Sequence, residues 1–180
     1  MKQIKLALIA ATSLLSLAVN AQIVGVNAFL KGDHVEVGLN KCGVYGTTAA
    51  PPAGYHPNVF GLGFVADSDL DGWDVGSPYD YCGDYFVPGT PEEGWQVQIG
   101  GSVYTNASNG CSPSEIPGSI TTYEFSGGMY TAIWEGTIAS EDISITQTTT
   151  LLIDKTYFVT RVLICNDGPT DLVDVYYNRN

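Results

Sequence analysis

From Ile143 to Cys165 the chain alternates with a period of two, the repeat of a pleated strand and not of a helix. Ile143, Ile145, Gln147, Thr149, Leu151 and Ile153 fall on one face of the first segment. In the second, Phe158, Thr160, Val162 and Ile164 oppose Tyr157, Val159, Arg161, Leu163 and Cys165, and Asp154-Lys155 turns one segment into the other. Both are rich in β-branched residues, which pack well on a pleated surface. Upstream, Ile23–Leu30 and His34–Leu39 flank the turn Lys31-Gly32-Asp33, and Phe60–Ala66 is a further apolar run. Gly100-Gly101 turns Trp95–Ile99 into Val103–Thr105, and Ser126-Gly127-Gly128 joins Ser119–Phe125 to Met129–Ile138. After the turn Asn166-Asp167-Gly168-Pro169, Leu172–Tyr177 begins another strand. Many short strands, turn-rich connections and no amphipathic helical pattern after residue 21 predict an all-β fold, an antiparallel β-sandwich. Two long irregular loops, Gly43–Asn58 and Asp67–Glu93, interrupt it, and loops of that length in a compact domain are usually functional or ordered by a ligand.

Residues 1–21 are of a different kind. Lys2 and Lys5 precede the apolar or small stretch Leu6–Val19, and Val19-Asn20-Ala21 ends in a small-x-small pattern. This is the signature of a secretory signal peptide cleaved before Gln22. The stretch is short for a membrane span, and nothing later offers about 18 uninterrupted apolar residues. The organisation read from the sequence is therefore a signal peptide, 1–21, followed by one β-sandwich domain, 22–180, secreted or at the cell surface. Val175-Tyr176-Tyr177-Asn178-Arg179-Asn180 stops where a strand should feed a turn, so the domain is expected to continue past Asn180.

Charge and cysteine content narrow the partners. The formal net charge is −12, and loss of Lys2 and Lys5 makes the exported part more acidic still. Such a surface repels phosphate backbones and anionic lipid, which argues against nucleic acid or membrane-surface partners. It is compatible with divalent cations and with neutral ligands such as sugars. The 4 cysteines, Cys42, Cys82, Cys111 and Cys165, are even in number in an exported chain and predict two disulfides. Of the three pairings, Cys42–Cys82 with Cys111–Cys165 joins near neighbours in chain order. None of the spacings is short enough for a zinc site.

The acidic loop holds the most specific local motif, Asp67-Ser68-Asp69-Leu70-Asp71-Gly72-Trp73-Asp74. Alternate aspartates followed by glycine match the first half of a calcium loop, in which carboxylates converge on a hard cation and glycine permits the bend. Asp67, Asp69, Asp71 and Asp74 are the candidate ligands. The second half departs from the pattern, because the position that wants a bidentate glutamate holds Pro78. The same loop carries Trp73, Tyr79, Tyr81, Asp84 and Tyr85, in a chain with 3 tryptophans and 11 tyrosines. Aromatic faces beside carboxylates suit sugars, since a ring stacks on C–H faces while the acid accepts hydroxyl protons. These five are the candidate ligand-binding residues, whereas Trp95 and Trp134, inside strand patterns, read as core.

No catalytic residue is assigned. His34 and His56 are the only histidines, and no Gly-x-Ser-x-Gly elbow, His-Glu-x-x-His pair or phosphate-cradling glycine loop accompanies them. Glu92, Glu93, Glu135 and Asp84 offer carboxylate pairs, as any acidic chain does.

A family likeness follows from several segments. They are Phe29-Leu30-Lys31-Gly32-Asp33-His34-Val35-Glu36-Val37-Gly38, Cys42-Gly43-Val44-Tyr45-Gly46-Thr47, Pro52-Ala53-Gly54-Tyr55-His56-Pro57, and Gly63-Phe64-Val65-Ala66-Asp67. Asp71-Gly72-Trp73, the stretch from Gly83 to Trp95, and Val175–Asn180 belong with them. Together they resemble the N-terminal region of large exported proteins of Bacteroidetes-type bacteria, which often end in a type IX secretion sorting domain or a gliding-motility-associated C-terminal domain. The resemblance implies an address more than a reaction, and it implies a longer protein. The function read from all of this is a non-catalytic extracellular β-sandwich module with an adhesive or structural role, its partners glycans or surface proteins. A carbohydrate-binding module is the alternative, and a glycan-active enzyme the third reading.

The calcium reading has a thermal test. An ion that binds only the folded chain raises its stability by about 2.7 kcal/mol at a hundredfold excess over the dissociation constant. The melting temperature is expected to rise with calcium and fall with chelator, and Asp67→Asn with Asp69→Asn to blunt the response. A melting curve that millimolar calcium leaves unmoved makes the loop a solvated acidic turn.

Overall fold

Period-two alternation becomes three antiparallel sheets. The computed structural model describes residues 22–47, 49–56, 61–67, 70, 93–107 and 116–180. The strands are β1 (Gln22–Val24), β2 (Asn27–Lys31), β3 (Val35–Leu39), β4 (Phe64–Ala66), β5 (Gly94–Ile99) and β6 (Ser102–Ala107). They continue with β7 (Gly118–Ser126), β8 (Met129–Ile138), β9 (Ile143–Leu152), β10 (Val159–Asn166) and β11 (Tyr176–Arg179). The first sheet runs β1-β2-β3-β4, the long sheet β10-β9-β8-β7, and the third β11-β5-β6. Among the described residues the only helical piece is a 3₁₀ turn, Ala139–Glu141, which joins β8 to β9, and no helix is long and apolar enough to cross a membrane.

The long sheet is one layer of the sandwich, and the two shorter sheets tile its inner face. Along β9, Ile143, Ile145, Gln147, Thr149 and Leu151 are buried while the intervening residues are not. On β8 the inward set is Tyr130, Ala132, Trp134 and Ile138. The first sheet covers one end of this face: Ala28, Leu30, Val35, Val37 and Leu39 pack with Tyr130, Ala132 and Leu151. The third sheet covers the other end: Trp95, Val97 and Ile99 pack with Trp134, Ile138, Ile143 and Ile145. The back of the first sheet is itself covered, because Phe29, Leu62 and Val65 form a small outer cluster with Tyr55 against it.

Trp134 shows how closely the tiles fit. Its indole lies over the cross-strand glycine pair Gly118↔Gly136 and edge-on to Trp95 at 5.4 Å between centroids. A methyl group on Gly136 would stand 2.2 Å from the indole, so only hydrogen is accommodated there. The indole N–H donates to the Lys41 carbonyl at 2.7 Å, satisfying a polar group that burial would otherwise leave costly.

The segment from Asn40 to Thr47 fills the space between the tiles. The Asn40 side chain folds it, donating to Gly46 O and accepting the N–H groups of Cys42 and Val44. Trp95 Nε1 and Asn106 Nδ2 both donate to Cys42 O at 3.1 Å, and Asn106 also bridges to the backbone of Ile116. Tyr45 N–H donates to Glu93 Oε2 at 2.6 Å, and Arg179 Nε meets Glu93 Oε1 at 2.6 Å. The same guanidinium reaches Gln147 Oε1 and Gly43 O and lies over the Tyr45 ring at 4.4 Å. Burial alone would lower the Arg179 pKa, but Glu93 holds it above the ordinary arginine value. For Glu93 burial prevails and pushes the carboxyl up, against the opposite pull of Arg179 and the Tyr45 N–H.

Three expectations change. The stretch Ile23–Leu30 is two strands, because Gly25, at φ +63°, turns β1 back on β2 with Val24 opposite Asn27. The final strand begins at Tyr176, not Leu172. The Cys111–Cys165 bridge does not form: strand parity turns Cys165 to the outward face opposite Ser144, and it is a free thiol. Cys42 is buried and disulfide-bonded, whereas Cys82 and Cys111 lie outside the described residues.

Overpacking tests the Trp134 fit. Gly136→Ala is expected to cost about 1–3 kcal/mol in denaturant unfolding. The cost should shrink in a Trp134→Leu background, because the two changes share one contact. Full additivity would mean that the indole does not rest on Gly136.

Candidate functional site

On the back of the first sheet, β2 and β3 place Lys31 directly opposite Glu36. Glu36 lies inside the apolar run Val35-Glu36-Val37, and its side chain is fully buried. Three donors compensate it. Lys31 Nζ reaches Oε1, the His56 backbone N–H donates to Oε2 at 2.8 Å, and His56 Nδ1 lies 3.1 Å from the same oxygen. Burial alone would raise this carboxyl; the hydrogen bonds from His56 and the Lys31 ammonium outweigh it and hold Glu36 below the usual glutamate value. The carboxylate thereby ties the loop carrying Gly54, Tyr55 and His56 to the sheet. Lys31 strengthens the tie by also donating to Gly54 O, and Tyr55 does so by donating its hydroxyl to Phe29 O at 2.8 Å.

Where that loop meets the β2–β3 turn and the β7–β8 hairpin, a cleft of about 380 Å³ opens. Its lining includes Lys31, Asp33, Tyr55, Phe125, Tyr130 and Ile153. The turn is pinned, since Gly32 N–H donates to Val35 O and Asp33 N–H to Ile153 O. The aromatic wall is built in pairs: Phe125 packs on Tyr130 at 4.6 Å between centroids, and Lys31 stands over the Tyr55 ring at 5.4 Å. Burial, with Tyr123 and Tyr130 nearby, holds the Tyr55 phenol far above its ordinary value, so it remains a donor. The Tyr130 phenol is raised by burial as well. The Asp33 side chain is exposed at the rim.

Of the candidate calcium ligands the structure places one. Asp67 is buried at the end of β4, its N–H donating to His34 O at 2.9 Å and its Oδ2 lying 3.5 Å from His34 Nδ1. Asp69, Asp71 and Asp74, and the candidate ligand-binding residues Trp73, Tyr79, Tyr81, Asp84 and Tyr85, lie outside the described residues. Among the described residues no three His, Cys, Asp or Glu side chains come together as a metal site. Trp95 and Trp134 are core, as their strand positions predict. No family model, curated protein or solved structure matches this chain.

The cleft was not read from the sequence. Its residues come from four separate segments, the β2–β3 turn, the loop at 53–55, the β7–β8 hairpin and the end of β9; of these only the loop, part of Gly43–Asn58, was read as a functional stretch, and the others as turns between strands. Val35-Glu36-Val37 gave no warning, because period-two alternation places the glutamate on the face away from the valines, where it reads as solvent-facing.

The Glu36 anchor makes stability acid-sensitive. A carboxyl held below its unfolded value contributes fully above that value, near pH 4.5, and the contribution is lost as pH falls through the lower folded value. Glu36→Gln is expected to cost about 1–3 kcal/mol at neutral pH and to flatten the fall in stability below pH 4.5 relative to the unaltered chain. Parallel acid limbs in urea unfolding would show that Glu36 is not the group responsible.

Proposed function

We propose that residues 22–180 act as a non-catalytic β-sandwich module of an exported protein, adhesive or structural in role and working outside the cell. One observation carries this reading: the buried carboxylates of the described residues are committed to holding loops and turns on the sheets. Glu36 holds the loop at 54–56, Asp67 faces His34, and Glu93 joins Arg179 to the Asn40–Thr47 segment. A glycosidase needs the opposite, a pair of carboxyl groups about 5–10 Å apart across a cleft and free to act on a substrate. The signal-like segment at 1–21 and the resemblance to exported Bacteroidetes-type proteins support the address. A second reading, carbohydrate binding, is favoured by the aromatic-walled cleft at the β2–β3 turn.

Export is directly measurable. A reporter carrying residues 1–21 is expected outside the cytoplasm with its new N-terminus at Gln22, and retention with the leader attached would remove the address. Incubation with glycan and peptide substrates is expected to give no turnover; turnover abolished by Glu36→Gln or Asp33→Asn would replace the module with an enzyme.

A further inference from the structure

We infer that the cleft between the β2–β3 turn and the β7–β8 hairpin is a subsite for a neutral pyranose unit of a glycan. The inference rests on the carbohydrate reading and gives it a place and a ligand class. Four observations narrow the ligand. The volume, about 380 Å³, lies at the small end of ligand sites and suits one or two sugar rings. Among the described residues an anion finds no free positive charge at the cleft, because the Lys31 ammonium is paired with Glu36 and Lys155, beyond the rim residue Ile153, is paired with Asp154 at 3.0 Å. The charge left at the rim is the Asp33 carboxylate, an acceptor for hydroxyl groups. An extended peptide would need main-chain partners, but the N–H groups of Gly32 and Asp33 are already given to Val35 O and Ile153 O.

A purely apolar ligand is disfavoured by Tyr130. Its residue is 2% exposed, it lines the cleft, and its hydroxyl has no hydrogen-bond partner among the described residues. Covering that hydroxyl with hydrocarbon would leave a buried polar group unpaired. A molecule with hydroxyls on its edge and C–H groups on its face answers both requirements. It stacks against Tyr55 and Phe125 while its edge meets the Tyr130 hydroxyl and the Asp33 carboxylate.

The test is an array of neutral, uronic and sulfated oligosaccharides probed with the secreted chain, followed by calorimetry on the strongest hit. Asp33→Ala changes an exposed side chain, and Tyr130→Phe keeps the buried ring, so both variants are expected to melt with the unaltered chain. Neutral oligosaccharides should be retained, and each variant should weaken association by about three- to tenfold, the loss of one hydrogen bond. Binding that Trp73→Ala abolishes, and that the cleft variants spare, overturns the cleft while leaving the carbohydrate reading intact. Preference for uronic or sulfated glycans overturns the neutral ligand. If no glycan binds, both the inference and the reading beneath it fall.

Discussion

A carboxylate with 1% of its side chain exposed, Glu93, meets the Arg179 guanidinium at 2.6 Å where the three sheets converge. The arrangement of the sheets depends on this contact. Glu93 precedes β5 and Arg179 closes β11, so the pair reinforces the β5–β11 ladder. Through Tyr45 N–H and Gly43 O it also grips the segment that leaves β3, and through Gln147 it reaches the middle of the long sheet. Removing one member of such a pair strands the other without a partner, a loss of about 3–5 kcal/mol and a large fraction of a domain's stability. Replacing both members by apolar residues would be far milder for stability but would leave Gly43 O and Gln147 Oε1 without this donor.

Two tiles on one long sheet explain the position of the cleft. The first sheet and the third sheet cover opposite ends of the inner face, and neither is as long as β8 or β9. At the end covered by the first sheet, the β7–β8 hairpin presents Phe125 and Tyr130 to the β2–β3 turn. Tyr55 and Tyr123 both donate to Phe29 O, one from the loop and one from the long sheet, so the floor of the cleft is fixed from two layers. A cleft built this way is set by sheet packing and by the Glu36 anchor.

The long sheet was legible because its period is two and its strands are long. The alternation from Ile143 to Ile164 gave the inward set correctly, and glycine turns marked the hairpins. Gln147 and Thr149 carried more information than that reading took from them. Polar residues on the buried face of a strand require buried partners, and here they are Arg179 and the Tyr45 hydroxyl. Those partners lie 32 and 104 residues away in the chain, beyond the reach of any local pattern. Gly25 hid a hairpin for the converse reason: two residues of turn between apolar runs look like one strand unless the positive φ is known. The Cys165 error has the same origin. Pairing cysteines by chain order ignores the strand parity that had already turned Cys165 outward with Leu163.

That outward face shows how a long sheet stays open to water on one side. On β9 the outward residues are Ser144, Thr146, Thr148 and Thr150, all of which present hydroxyls, and the three threonines keep the β-branched shape a strand favours. The neighbouring strand β10 is less guarded: Val159 and Leu163 are about half exposed, and among the described residues no strand pairs with its outer main-chain groups. Arg161 stands between those two residues on the same face, so a copy pairing along this edge would have to desolvate a charge at the centre of the apolar run. On β9 the two faces differ in chemistry, mostly hydrocarbon inward, with Gln147 and Thr149 partnered there, and hydroxyl outward. The alternation that dictates the fold also places a charge at the centre of the edge of its largest sheet.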